Sequence, residues 1–217
     1  MTKTPRIAIV DYQMSNLFSV QRACDFVGLR AALTSDPAEL LKADGVILPG
    51  VGAFGAAMEN LRRLELLEAF PEFVQSGKPL FGICLGMQLL FTESEEFGQH
   101  RGLGLVAGKV VKFSKRNELG VAVKVPQIGW NRILNPDAGP AWRHSALKSV
   151  AGGEFMYFVH SFYCVPQHSG DVCAYTDYES IRYCSAVARE NIFAAQFHPE
   201  KSAKAGLKIY MNWRELF

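Results

Sequence analysis

The sequence carries little net charge: 23 Lys and Arg against 21 Asp and Glu leave a formal +2 with the histidines neutral. The basic residues are dispersed, so the balance argues against a nucleic acid or another polyanion as partner. It also has few cysteines, at positions 24, 84, 164, 173 and 184. An odd number with no CxxC pair argues against a disulfide framework and for reduced thiols. No apolar run approaches the length of a membrane span. The opening "MTKTPRIAIVDYQ" lacks the basic region, apolar stretch and cleavage site of a secretory leader, so a cytoplasmic protein without a membrane partner is expected. Linkers rich in Pro, Gly and Ser, low-complexity segments and internal repeats are missing too, and the 217 residues are expected to form a single domain, 1–217.

What is present is ordinary globular material, 49% hydrophobic and 20% charged, enough for a sizeable core. "RIAIVDY" is a short apolar run, and Leu17, Val20, Cys24 and Val27 follow at helical spacing up to Gly28, which reads as strand then helix. A short strand near Ala31–Thr34, a helix after "SDP", a strand at "DGVILPG", one amphipathic helix over "AAMENLRRLELLEAF" and a strand at "GKPLFGIC" continue the pattern. This alternation predicts an α/β fold, a three-layer sandwich with a mostly parallel central sheet and helices on both faces. From about residue 103 strands follow strands ("GLVAGKVVKF", "VAVKVPQIGW", "GEFMYFVHSFYCVP", "CSAVARENIFAAQF"), so some antiparallel pairing is expected in the C-terminal half. The closing "AGLKIYMNWRELF" has helical spacing at Leu207, Tyr210, Met211 and Leu216.

In "LFGICLGM" a buried strand meets a turn whose apex is Cys84, with a helix expected directly after it. G-x-C-x-G is the thiol counterpart of a nucleophile elbow, in which small neighbours let the backbone bend and present the reactive atom. A helix N-terminus also favours thiolate over thiol. By itself the stretch fits a silent core cysteine equally well. The natural base is in "AAQFHPEKS", where His198 and Glu200 lie two residues apart in an extended segment and Pro199 stiffens it; the carboxylate can then orient the imidazole. Acyl chemistry needs oxyanion donors as well. The amide of Leu85 follows the nucleophile, and the glycine-rich "LPGVGAFG" offers another near Val51 or Gly52. That loop lacks the G-K-[ST] ending of a phosphate-binding loop.

"PGVGAF", "GICLGMQLLF", "GWN", "YFVHSF" and "QFHPEKS", in this order across nearly the whole chain, resemble the triad (class I) glutamine amidotransferases, and more narrowly the glutaminase subunits of imidazole glycerol phosphate synthases. The resemblance implies a triad of Cys84, His198 and Glu200 and an oxyanion loop at Gly50, Val51 and Gly52. It implies glutamine contacts from Gln88, Glu96, His160, Ser161 and Phe162, and neither cofactor nor metal. It implies hydrolysis of glutamine to glutamate and ammonia, with the ammonia channelled to a (β/α)8-barrel synthase subunit of histidine biosynthesis across an interface near Asn16, Trp130 and Lys201. For Glu96 a solvated acidic turn is the competing reading.

Three positions depart from the family pattern. Gln127 stands in "VPQIGWN" where histidine is common, and Gln13 and Ser15 replace the usual glycines of the first loop. All three are expected on the docking face, which leaves the glutaminase reading intact and opens an alternative partner, a related synthase of surface-sugar biosynthesis. A degenerate scaffold would need a missing triad member, and none is missing; a peptide or ester hydrolase fits poorly with "GMQ" and "HSF".

Overall fold

A computed structural model describes residues 4–14, 17–116, 120, 122–136 and 142–217. Ser15 and Asn16 lie outside the described residues. In chain order the elements are β1 (Arg6–Val10), α1 (Leu17–Phe26), β2 (Arg30–Thr34), α2 (Pro37–Lys42), β3 (Gly45–Leu48), α3 (Phe54–Arg63), α4 (Ala69–Gln75), β4 (Leu80–Ile83), α5 (Leu85–Leu89), β5 (Phe91–Ser94), β6 (His100–Arg101) and β7 (Val106–Lys112). Then come β8 (Gln127–Arg132), β9 (Phe155–His160), β10 (Phe162–Pro166), β11 (Val172–Tyr178), β12 (Ile181–Arg189), β13 (Ile192–Ala195) and α6 (Ala203–Arg214).

Strands pair in the order β2-β1-β3-β4-β13-β12-β10-β7-β5-β6, with β11 against β12 and a separate β8–β9 ribbon. The block β2-β1-β3-β4-β13 is parallel, while β12 meets β13, β10 and β11 antiparallel. The expected α/β architecture with antiparallel strands in the C-terminal half is therefore present. Strand alternation sorts the core to the two faces. Ala8 and Val10 of β1 and Val46 and Leu48 of β3 join Leu40, Phe54, Leu61, Phe70 and Met87 in one cluster. Ile7, Ile9, Ile47 and Phe81 join Val20, Cys24, Ile209 and Trp213 in the other. Period-two side chains on a sheet covered by helices require this division.

Local chemistry explains most element ends. Asp36 caps α2 by accepting from Ala38 N–H at 2.8 Å, with Pro37 at the first helical position. Past α1, Gly28 (φ +76°) lets Leu29 N–H reach the Cys24 carbonyl, a Schellman stop. The single helix expected over "AAMENLRRLELLEAF" is instead α3 and α4. Glu65 takes φ +59° and Leu66 N–H bonds the Leu61 carbonyl, so the same stop is built without glycine. Burial of Leu66 and Phe70 outweighs the cost of a left-handed glutamate, a tertiary effect that periodicity does not carry. In α6 the buried face is Gly206, Ile209, Tyr210 and Trp213, whereas Met211 and Leu216 are exposed, correcting the face read from spacing.

Candidate active site

Cys84 follows β4 directly and takes φ +52° and ψ −108°. A non-glycine residue in this region stores strain, and such strain concentrates at functional positions. It is held from both sides: Cys84 N–H donates to the Ala195 carbonyl at 2.8 Å, and the Cys84 carbonyl accepts from Gln88 N–H at 3.2 Å. The flanking glycines serve close packing rather than unusual dihedrals. A Cβ on Gly86 would stand 1.7 Å from the Leu48 carbonyl oxygen, and one on Gly82 would stand 2.9 Å from Ala194 Cβ. The helix after the elbow has only five residues, so its dipole supports the sulfur less than a full-length helix would, and the side chains around Cys84 carry more of the electrostatics.

β13 lies between β4 and β12, with Ala194 opposite Gly82 and Ala195 opposite Ile83. The chain leaving β13 therefore passes beside the elbow and brings His198 there. His198 N–H donates to the Tyr157 carbonyl at 2.9 Å, and Ser202 Oγ–H donates to the His198 carbonyl at 2.6 Å. His198 Nδ1–H donates to Glu200 Oε1 at 2.7 Å, both side chains being only 2% exposed. This fixes the orientation of the ring and leaves Nε2 as the nitrogen free to interact with the Cys84 sulfur. Burial opposes a charge on the ring, but the Cys84 sulfur and the Glu200 carboxylate together outweigh it and hold the imidazole up at about 10. His198 is thus poised as a cation beside Cys84.

The "PGVG" loop leaves β3, the strand next to β4. Tyr12, wholly buried beneath it, donates its O–H to the Pro49 carbonyl at 2.7 Å. A side chain on Gly50 would strike that hydroxyl at 2.0 Å. Gly52 has φ +111°, a glycine conformation. Val51 N–H, one of the two amides expected to face an oxyanion, instead donates to the Met14 carbonyl at 2.8 Å. The loop is beside the thiol but its Val51 donor is occupied.

Between loop, elbow and the β9–β10 turn lies a cavity of about 320 Å³, the size of a small-molecule site. Its lining includes Val51, Gly52, Cys84, Leu85, Gln88, Glu96, His160, Ser161 and Phe162. Gln88 Nε2–H donates to both the Phe162 carbonyl and Gln196 Oε1 at 3.0 Å. Glu96 is more than a solvated turn residue: its carboxylate accepts Phe54 N–H at 2.6 Å, capping α3 while lining the cavity. His160 bonds the Phe162 carbonyl through Nδ1 at 2.8 Å and meets Tyr183 Oη through Nε2 at 3.2 Å. Burial pushes its basicity down to about 4, so it is neutral at pH 7 and structural in its hydrogen bonding. Among the described residues no group of three or more His, Cys, Asp or Glu is placed to hold a metal.

Trp130 is half exposed on β8 and packs edge-on against Tyr157, whose ring in turn neighbours His198. Lys201 is exposed in the turn after His198, on the triad's segment, while Asn16 is outside the described residues. The expectation that Gln127 belongs to the docking face is corrected. It is 2% exposed and accepts from Tyr183 O–H at 3.0 Å, because alternation along β8 turns it inward while Ile128 points out. Gln13 is exposed, at φ +68°, and accepts from Arg63 at 2.7 Å. Two site residues escaped sequence reasoning. Tyr12 carries no motif. Gln196, wholly buried, donates to Cys84 Sγ at 3.6 Å; a lone amide in the apolar "FAAQF" was the signal available, since a buried polar group needs a partner.

A thiol on a strained backbone turn at the edge of a small cavity, and near it a buried imidazole held by a carboxylate, are the groups that cysteine-dependent acyl transfer uses. The chain belongs to the class-I glutamine amidotransferase family, whose model matches residues 8–213. Its relatives bear a more particular name. The imidazole glycerol phosphate synthase subunit HisH of Syntrophotalea carbinolica is 46% identical over 97% of this chain and 100% of its own length. That of Bacillus velezensis is 46% identical over 97% of this chain and 96% of its own, and subunit HisH 1 of Legionella pneumophila (strain Lens) is 41% identical over 97% and 99%. The solved structure of PurLQS from Thermotoga maritima superposes with a TM-score of 0.74 at 19% identity, covering 99% of both chains. A solved glutamine amidotransferase of the same organism gives 0.63 at 13%, covering 99% of this chain and 82% of that one. At that identity both speak for the fold alone. No described helix is long and apolar enough to cross a membrane.

Proposed function

We propose that this chain, acting as one domain in the cytoplasm, hydrolyses glutamine and delivers the ammonia to a (β/α)8-barrel synthase subunit. That subunit makes imidazole glycerol phosphate and aminoimidazole carboxamide ribonucleotide in histidine biosynthesis. The observation that carries the reading is the Nδ1 to Oε1 bond of 2.7 Å between His198 and Glu200, buried next to Cys84; the HisH name of relatives matching 97% of the chain supports the partner. Cys84 sulfur attacks the side-chain amide carbon of glutamine, forming the C–S bond while negative charge moves to the amide oxygen. Amides of Leu85 and, after the loop turns, Val51 receive that charge. His198 passes its Nε2 proton to the nitrogen, the C–N bond breaks and ammonia leaves. A water then gives its proton to His198 and adds to the thioester, and glutamate departs as the sulfur is regenerated. Glu200 keeps the imidazole oriented and its cation stabilised throughout.

Gln88, Glu96 and the Ser161–Phe162 turn supply the mixture of donors and acceptors that a zwitterionic amino acid requires. His160 braces this wall as a neutral ring. Trp130, Lys201 and Asn16 are proposed at the synthase contact. Glutaminase assays with and without the barrel subunit test the reading: activity is expected to rise with the partner and to vanish in Cys84→Ala, while the complex still uses added ammonium salts. Undiminished hydrolysis in Cys84→Ala would remove Cys84 as nucleophile.

A further inference from the structure

The triad does not account for Gln196, whose side chain contacts both the nucleophile and the substrate cavity's wall. We infer that Gln196 is a hydrogen-bond donor to the Cys84 sulfur whose direction is set, through Gln88, by the Phe162 carbonyl, and that it favours the charged, attacking form of that sulfur. This rests on Cys84 being the nucleophile.

The direction follows from a group that cannot be reversed. The Phe162 carbonyl can only accept, so the Gln88 atom 3.0 Å from it is an N–H donor. The same Gln88 nitrogen meets Gln196 at 3.0 Å, so the Gln196 atom there is its oxygen. The amide nitrogen of Gln196 is then left facing Sγ at 3.6 Å. Turning Gln196 over would set two NH2 groups against each other, and turning Gln88 as well would set two carbonyl oxygens together. The amide is wholly buried, where such mismatches are costly. Cys84 sulfur is accordingly met by an obligatory donor, and a sulfur anion accepts such a hydrogen bond more strongly than a thiol does.

The test is the rate at which iodoacetamide alkylates Cys84 across pH, followed by peptide mapping of the full chain; it needs neither glutamine nor the synthase. In Gln196→Met, which keeps the volume and removes the donor, alkylation at pH 7 is expected to slow about tenfold and to converge with the natural protein at alkaline pH, where both are ionised. Gln88→Met, which never touches the sulfur, is expected to slow it in the same direction by a smaller factor. Misfolding would act oppositely, because Cys24, Cys164, Cys173 and Cys184 are all buried and would become labelled. Equal Cys84 rates at pH 7 in Gln196→Met, with the other four cysteines protected, would overturn the proposal while leaving the nucleophile in place. An unreactive Cys84 in the natural protein would overturn both.

Discussion

Two turns sit side by side where the parallel strands β3 and β4 end, with Leu48 opposite Gly82 in register. One, the elbow, is set: the Cys84 backbone is strained and pinned between the Ala195 and Gln88 backbones. The other, the "PGVG" loop, is not: its Val51 amide is given to Met14. The elbow is fixed by hard contact, since Gly86 lies against the Leu48 carbonyl with no room for a methyl group. The loop is tight at Gly50, against the Tyr12 hydroxyl, but at Val51 it is held by an exchangeable hydrogen bond with a net value of only about 1 kcal/mol. Under the proposed function, this difference would keep the nucleophile ready and the oxyanion donor withheld, leaving glutamine or the synthase a small, reversible step to complete.

Removing the elbow's sulfur breaks the comparison most severely. Cys84→Ala should lower glutamine turnover by about 10⁴-fold or more while leaving the melting temperature within a few degrees, as read by steady-state assay and calorimetry. Glu200→Gln keeps the shape but removes the charge behind His198; a loss between about 10² and 10⁴-fold in kcat is expected, characteristic of impaired acid-base catalysis.

Stability should report the same buried groups through pH. His160 is held down near 4 against about 6.5 in the unfolded chain, so stability is lost as pH falls from about 6.5 to 4, by roughly 3 kcal/mol in all. His198 is held up near 10, so its contribution is complete below about 6.5 and lost as pH rises toward 10. Denaturant titrations across pH should show both limbs. The alkaline one should shrink in Cys84→Ala, because the sulfur is a main cause of that shift.

The glycines separate the two turns directly. Gly86→Ala forces a methyl group into backbone and should cost about 3 kcal/mol. Gly52→Ala meets only the flexible end of Met14, at 2.6 Å, and mainly suffers its φ of +111°, about 1 kcal/mol. Smallest is a change of partner: the Val51 amide donates to the Met14 carbonyl in the free protein, and its amide resonance in a nuclear magnetic resonance spectrum should shift when a glutamine analogue is bound to Cys84. An amide resonance unmoved in the adduct would mean the loop does not turn.

Much of this was legible because it is local. "GICLG", "PGVG" and "HPE" each carry their chemistry within a few residues. What stayed hidden depends on distant partners. The break between α3 and α4 has no glycine or asparagine to announce it. Gln127 reads as a docking residue until β8 turns it toward Tyr183. Tyr12 and Gln196 acquire their roles from atoms far along the chain, the Pro49 carbonyl and the Cys84 sulfur.

By itself the sequence determined which atoms are available: a thiol at a tight turn, an imidazole and carboxylate two residues apart, and a glycine-rich loop, since each is set by neighbouring residue types. Only the tertiary structure decided that they meet. Placing β13, from the end of the chain, against β4 is what carries His198 and Gln196 to Cys84, because strand pairing joins residues by burial and hydrogen bonding across the sheet, irrespective of their separation in sequence.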